Sequence, residues 1–270
     1  MDWGSASDGT YTLDLVWDAD ETVSGKLYSI QWDETGTGPV TFLGYAEKAI
    51  TINDGGVIGN EDGSVAATNL ALSDPGQRTL NGTLTGPNGM DPTIRLYVGD
   101  EWFSWDVTPP DFSCFVPEAV SLPMSVYAHS FINGHGTERR RPVPATGDLD
   151  LVLPEPAIPL LPVDAATGVT LATSFSWTPA PAETVTRVRF DIGDWTIFRY
   201  TTESSTTIPD LSTYGLALPA ATAGAWSIIT RGPATTMDEV LVWEDRYWRT
   251  DMVLSDRIAT SSDSRPFTTQ

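Results

Sequence analysis

Apolar and polar residues alternate at every second position in several short runs of this sequence. The run TIRLYV, for example, places Ile94, Leu96 and Val98 on one side. Successive side chains of a β-strand point to opposite faces, so this period predicts strands with one buried face. Turn sequences such as SDPG and GPNG separate the runs. Short strands with closely spaced turns predict an all-β chain built from antiparallel β-sandwiches. The same alternation recurs in YTLDLVW, MSVYA, GDLDLVL and RVRFDI.

A proline-rich segment, LPEPAIPLLP at 153–162, marks the predicted boundary between two domains. Its prolines lack the amide hydrogen that a central strand must donate, and they stiffen the chain. The excess of acidic over basic residues is also larger before this segment than after it. We therefore predict two tandem antiparallel β-sandwich domains, residues 1–155 and 156–270.

The second predicted domain resembles a fibronectin type III domain. In SFSWTPA, which is similar to that family's B strand, Trp177 stands where the core tryptophan is expected. Trp226 stands in the segment similar to strand F, where the family usually has tyrosine. The resemblance implies an immunoglobulin-like sandwich, but residues 235–257 exceed an ordinary F–G loop, and we predict an inserted β-hairpin near them. Four segments carry the resemblance: SFSWTPA, VTRVRFDIGD, AGAWSIITRGP and SSDSRPFTT.

The first predicted domain resembles a carboxypeptidase regulatory-like, or transthyretin-type, β-sandwich. TVSGKLYSI and TLNGTLTGP share a pattern of a small residue, glycine and a hydrophobic residue. SVYAHS at 125–130 is similar to the last strand of that family. The resemblance implies a binding or structural module without peptidase chemistry. A single sandwich of no named family is the alternative interpretation.

The net charge of −21 limits the partners of this chain. Nucleic acids and anionic membrane faces both require a basic surface, so neither is expected to bind. No run of residues has the length and apolarity of a transmembrane helix. The acidic surface favours a secreted or cell-surface protein whose leader is absent from this chain. Arginine is used almost to the exclusion of lysine, which together with the domain types favours a bacterial source.

The residues that could support catalysis are few. His129 and His135 are the only histidines, and no Gly-x-Ser-x-Gly sequence is present. Cys114 lies between two phenylalanines, which is typical of a small buried hydrophobic residue rather than a nucleophile. The basic cluster GHGTERRR at 134–141 is predicted to be a loop that pairs with local carboxylates or with a partner. We predict that the protein is not an enzyme.

Calcium is the one cofactor that the sequence leaves open. Asp18, Asp20 and Glu21 in WDADET, and Asp62 in NDGGVIGNEDG, carry the oxygen ligands that calcium prefers. Asp-Gly and Asn-Asp pairs are also ordinary hairpin residues, because they tolerate positive φ. We predict no cofactor, with calcium as the alternative at these carboxylates.

Two aromatic clusters are candidate binding sites. VLVWEDRYWRTDM at 240–252 is predicted to be a hairpin. In EWFSWD at 101–106, the three aromatic rings cannot all lie on one face of a strand. Each cluster could pack in a core, form a protein interface or stack on sugars, since interface centres favour Trp, Tyr and Arg. The candidate binding residues are Trp243, Arg246, Tyr247, Trp248, Trp102 and Trp105.

These observations together predict a non-catalytic extracellular or cell-surface protein that works by adhesion or assembly. Its partners would be other proteins or further copies of itself. A carbohydrate-binding module with exposed Trp and Tyr is the first alternative, and a hydrolase is the second. A hydrolase would require a deep pocket holding a carboxylate of raised pKa.

Overall fold

The computed structural model describes residues 23–33, 40–52, 70–99, 101–107, 109–245 and 256–270. Almost every regular element in these residues is a strand, which confirms the predicted all-β class. The helices among them are a 3-10 turn at Ser212–Tyr214 and α1 at Met237–Asp245. No helix among the described residues is both long and apolar enough to span a bilayer. The strands are β1 Val23–Asp33, β2 Thr41–Ile52, β3 Gln77–Thr85, β4 Thr93–Val98, β5 Glu101–Asp106, β6 Asp111–Pro117, β7 Met124–Ile132, β8 His135–Pro142, β9 Leu151–Val152, β10 Pro159–Leu161, β11 Ala166–Val169, β12 Phe175–Trp177, β13 Val185–Ile192, β14 Trp195–Thr201, β15 Ser205–Thr206, β16 Ala223–Gly232, β17 Arg257–Ser261 and β18 Arg265–Thr269.

The chain divides into two compact units. The first comprises residues 1–36, 40–78 and 115–120, and the second comprises 37–39, 79–114 and 121–270. In the first unit, β1 and β2 pair antiparallel from Val23 opposite Ile52 to Asp33 opposite Thr41.

The second unit is organised around a ten-stranded sheet. Its main order is β11-β18-β16-β17-β8-β7-β4-β5, and β13 adds to β16 and carries β14. Smaller sheets have the orders β10-β12-β15 and β6-β3-β9. Apart from the parallel pairs of β11 with β18 and β3 with β9, the described pairings are antiparallel, as predicted.

An aromatic core joins β12 to the large sheet. The ring of Phe175 on β12 lies 4.9 Å from Phe190 and 5.2 Å from Trp226, both in edge-on geometry. Trp177 and Trp226 are almost fully buried, and for Trp177 this agrees with the core position that the fibronectin type III resemblance implied. Such edge-on aromatic pairs add about 0.5–1.5 kcal/mol beyond the burial of their area.

The predicted alternation is confirmed on the strands that the structure describes. Ile94, Leu96 and Val98 are all buried on β4, and the residues between them are partly exposed. Cys114 is also buried, as expected for a small hydrophobic side chain. YTLDLVW lies outside the described residues. The other predicted inward residues that are buried are Val126, Ala128, Leu149, Leu151, Leu153, Val188, Phe190 and Ile192.

The ten-stranded sheet continues across the predicted boundary at residue 155. Strands β8 and β17 pair antiparallel, from Gly136 opposite Ser261 to Arg140 opposite Arg257. The segment between them in sequence is also attached to the sheet: the Thr137 hydroxyl donates to the Pro154 carbonyl at 2.6 Å. The division into domains 1–155 and 156–270 stays a prediction.

Two local predictions are wrong. The basic cluster at 134–141 was predicted to be a loop, but its residues from His135 onward belong to β8. Asn133 and Gly134, with φ of 50° and 82°, make a two-residue turn that joins β7 to β8. Residues 237–245 form α1 rather than the rising strand of a hairpin. The helix starts with a capping box: the Glu239 amide donates to the Thr236 hydroxyl, and the Glu239 carboxylate accepts from the Thr236 amide.

Candidate functional site

The outer face of the β5-β4-β7-β8 part of the sheet carries arginine and aromatic side chains. Register places Tyr97 opposite Trp102 and Arg95 opposite Tyr127, and Tyr127 lies opposite Arg140. We refer to these five residues as the arginine–aromatic face. They share one side because residues that pair across strands point to the same face of the sheet.

Two guanidinium groups stack on rings of this face. The Arg95 Cζ lies 4.6 Å from the Trp102 ring centroid and 5.8 Å from that of Tyr127. The Arg140 Cζ lies 3.9 Å from the Tyr97 centroid. Each such contact is worth about 0.5–2 kcal/mol, so the rings hold both charged groups at the surface in a limited set of conformations.

Further aromatic residues extend the surface along β7. The Tyr127 ring lies 5.4 Å from His129, and His129 lies 6.2 Å from Phe131 in edge-on geometry. Trp102 is 49% exposed and Phe131 is 68% exposed. A run of apolar rings therefore reaches solvent on the same side of the sheet as the two arginines.

Glu138 is already bonded within this surface. The Tyr127 hydroxyl donates to its carboxylate at 2.5 Å. Burial raises the pKa of Tyr127 well above its usual value, and the neighbouring Glu138 carboxylate raises it further. The tyrosine therefore stays protonated and keeps this hydrogen bond throughout the physiological pH range.

His129 lies opposite Glu138 on the same face. Burial lowers its pKa below the usual 6.5, and the positive charge of Arg95 adds to this effect, while Glu138 opposes it. A lowered pKa means that the imidazole is neutral at pH 7 and packs as one more ring of the surface.

Strand alternation separates the three arginines of the cluster at 139–141. Arg139 and Arg141 point to one side, where they pair with Asp256 at 2.6 Å and 3.6 Å. Arg140 points to the other side and stacks on Tyr97. The prediction that this cluster pairs with local carboxylates is thus confirmed for Arg139 and Arg141 only.

Neither Arg95 nor Arg140 has a carboxylate partner in the part of the chain that the structure describes. The Nε–H group of each is buried and donates no hydrogen bond there. Arg189, on the outer side of β13, differs because it forms an ion pair with Asp191 at 2.8 Å. On a chain with a net charge of −21, these two guanidinium groups on one face form a local positive site that could attract an anionic group.

The structure separates the predicted aromatic sites. Trp102 lies on the outer face of β5, whereas Trp105 is buried on the inner face beside Phe103 and cannot reach a partner from the outside. Trp243 belongs to α1 and not to a hairpin strand. Arg246, Tyr247 and Trp248 lie outside the described residues.

The calcium prediction falls on residues that the structure does not describe, namely Asp18, Asp20, Glu21 and Asp62. Within the described ranges, no group of three or more His, Cys, Asp or Glu side chains is arranged to hold a metal ion. Calcium binding at the predicted carboxylates stays a prediction.

A shallow groove lies elsewhere on the second unit, along β14. It has a volume of about 640 Å³ and is lined mainly by apolar residues, among them Trp195, Ile197 and Leu216. Arg199 is the one charged residue in its lining. The lining contains no histidine or carboxylate.

Four residues of the arginine–aromatic face were not predicted from the sequence: Arg95, Tyr97, Tyr127 and Arg140. A usable signal for Tyr127 and Arg140 was the Asn-Gly pair at 133–134, which is a strong indicator of a two-residue hairpin. That turn fixes the register of β8 on β7 and so predicts that Arg140 lies opposite Tyr127. The place of Arg95 depends on the pairing of β4 with β7, which no local pattern specifies.

Comparison with known proteins does not assign this chain to a family. No family model matches the sequence, and no curated protein matches it at a significant level. The resemblances to fibronectin type III and carboxypeptidase regulatory-like domains therefore stay predictions, although strands lie at the positions that both resemblances imply.

Proposed function

We propose that this protein is a non-catalytic extracellular or cell-surface interaction module of bacterial type, which binds a protein partner through the arginine–aromatic face. One observation carries the proposal: a half-exposed tryptophan and two arginines without carboxylate partners share the outer face of a broad antiparallel sheet. Trp, Tyr and Arg are the residues that most often dominate binding energy at protein interfaces.

The rigidity of the surface supports this role. Arg95 and Arg140 are held against rings that are themselves fixed on neighbouring strands. Binding then immobilises fewer free side-chain rotamers, each of which would cost about 0.5–1.5 kcal/mol. Such a surface is suited to lasting contact with a partner and not to a reaction that requires a lid or an enclosed cleft.

Site-specific photo-crosslinking tests the proposal in the cells that produce the protein. A benzoylphenylalanine placed at Ser104, which is exposed beside Trp102 and opposite Arg95, should give a covalent adduct with a protein. The matched control is the same probe at Tyr214, which is 80% exposed and distant in sequence from the face. A second substitution, Trp102→Ala, should reduce the Ser104 adduct about tenfold.

Two outcomes would contradict the proposal. One is the absence of any adduct from Ser104, and the other is an equal yield of the same adducts from both positions. An adduct made of polysaccharide would instead support the carbohydrate-binding alternative, and it would be recognised by its mass after glycosidase treatment.

A further inference from the structure

The charge of the arginine–aromatic face is opposite to the charge of the chain. Arg95 and Arg140 carry two positive charges, and the Glu138 carboxylate on this face accepts a hydrogen bond from the Tyr127 hydroxyl. Arg139 and Arg141, by contrast, both pair with Asp256. Arg95 and Arg140 have no such partner among the described residues, so carboxylates of a bound molecule would give them charge-assisted hydrogen bonds.

The register of the sheet sets the distance between the Cα atoms of these two arginines. Arg95 on β4 and Arg140 on β8 lie on either side of Tyr127 on β7. Neighbouring strands are about 4.8 Å apart, so the two arginine Cα atoms are separated by roughly 10 Å. A ligand that engages both arginines must therefore present at least two anionic groups.

The stacking geometry also limits what the rings can bind. Arg95 covers Trp102 at 4.6 Å and Arg140 covers Tyr97 at 3.9 Å. A neutral sugar binds mainly by laying its apolar face on an open aromatic ring, and these two rings already carry a guanidinium group on one side. The planar guanidinium keeps its N–H donors at its edge, where a carboxylate can bind in a bidentate manner.

From the proposed interaction function, on which this inference rests, we infer that the occupant of the arginine–aromatic face is an acidic polypeptide segment. Two of its Asp or Glu carboxylates pair with Arg95 and Arg140. Its apolar side chains lie against the exposed parts of Trp102 and Phe131. Charge complementarity selects this occupant, because its carboxylates supply the counter-ions that Arg95 and Arg140 lack among the described residues.

Poly-L-glutamate is a suitable probe, because the net charge of −21 would repel it everywhere except at a basic site. We expect the full-length protein to bind it at low ionic strength in a calorimetric or biosensor titration. Added salt should weaken the binding strongly, since the pairs lie at the surface. Dextran and polygalacturonate serve as neutral and anionic polysaccharide probes in the same assay.

Substitutions of single arginines show whether poly-L-glutamate binds at the arginine–aromatic face. Arg95→Gln and Arg140→Gln should each weaken poly-L-glutamate binding about tenfold, and the double variant should abolish it. Arg95→Lys should also weaken it, because lysine keeps the charge but loses bidentate pairing and stacking. The matched control is Arg189→Gln, which removes an arginine from the outer side of β13 that is already paired with Asp191; its affinity should stay within about twofold of wild type. Circular dichroism confirms that each variant is folded. The salt dependence of binding by the wild type tests the charge pairing without any substitution.

The outcomes separate this inference from the proposed function. Failure of poly-L-glutamate to bind, or equal losses in Arg95→Gln and Arg189→Gln, would overturn the acidic occupant. If the Ser104 protein adduct still formed in that case, the interaction function would stand and the partner would be held by apolar contacts. Binding of polygalacturonate without poly-L-glutamate would also overturn the inference in favour of an acidic glycan, and binding of dextran would contradict both proposals.

Discussion

At the scale of single residues, the arginine–aromatic face shows how one β-strand can serve two purposes. On β4, Leu96 is buried in the core, while Arg95 and Tyr97 on either side of it point outward. The inward side chain stabilises the fold by burial of apolar area, about 25 cal/mol per Å². The outward pair contributes little to the core, so its composition is free to be set by a partner.

His129 provides a prediction for the dependence of stability on pH. Its folded-state pKa lies below the unfolded value of 6.5, so the unfolded chain binds the proton more tightly. The contribution of neutral His129 to the free energy of unfolding is fully present above pH 6.5 and is lost as the pH falls through the lowered pKa. We expect the wild type to lose more free energy of unfolding than His129→Phe between pH 7 and pH 5, measured by urea denaturation.

The phenylalanine variant keeps a ring between Tyr127 and Phe131, so packing changes are small. The carboxylates are common to both proteins, and the difference between the two pH profiles therefore isolates His129. Parallel profiles, or a steeper loss in the variant, would show that burial does not lower this pKa.

At the scale of elements, close approach of the backbone fixes how β3 meets the segment before β9. Gly82 is buried on β3, and the Leu149 amide donates to the Asn81 carbonyl at 2.9 Å. A Cβ atom at position 82 would overlap the Leu149 carbonyl oxygen and the ring of Phe112. Because a backbone atom cannot rotate away, only glycine fits at this contact.

Gly82→Ala should therefore lower the free energy of unfolding by about 3 kcal/mol, the upper end of the usual cost of overpacking. Gly25→Ala on β1 is the control, since a Cβ there meets nothing within 4 Å. That substitution should be neutral or slightly stabilising. Urea denaturation followed by tryptophan fluorescence measures both, and equal effects at the two glycines would contradict the close approach.

At the scale of the whole molecule, the pairing of β8 with β17 makes residues from both sequence halves part of one sheet within the second unit. A buried hydroxyl pair supports this junction, with Thr230 and Thr260 oxygens 2.6 Å apart. The Ala157 amide donates to the same Thr260 oxygen at 3.3 Å. Strands on both sides of the junction should therefore unfold together.

Thr260→Val tests this coupling. Removal of the hydroxyl leaves buried polar groups unsatisfied, at a cost of about 1–3 kcal/mol. Native-state hydrogen exchange should show similar losses of protection in β7 and β16, because both belong to one cooperative unit. Thr79→Val, at an exposed position of β3, should leave protection unchanged. A loss confined to β13, β16 and β18 would mean that the two halves unfold separately.

Local sequence rules predicted the strands and their buried faces well, and they failed where two signals competed. EVLVW is rich in β-branched and aromatic residues, which favour a strand, yet Thr236 and Glu239 form a capping box that starts α1. Val240 then becomes buried with Val185 and Ala234. A run of five residues was too short to exclude a helix, and the helix cap was the more reliable signal.

The sequence by itself determined the all-β class and the inward residues of β4 and β13. These follow from a period of two, which depends only on the geometry of the strand. Only the tertiary structure decided that Arg95 joins Tyr127 and Arg140 in one row, and that β8 pairs with β17. Those features depend on which strands pair and in which register, and such pairing is set by the packing of residues far apart in the chain rather than by any local pattern.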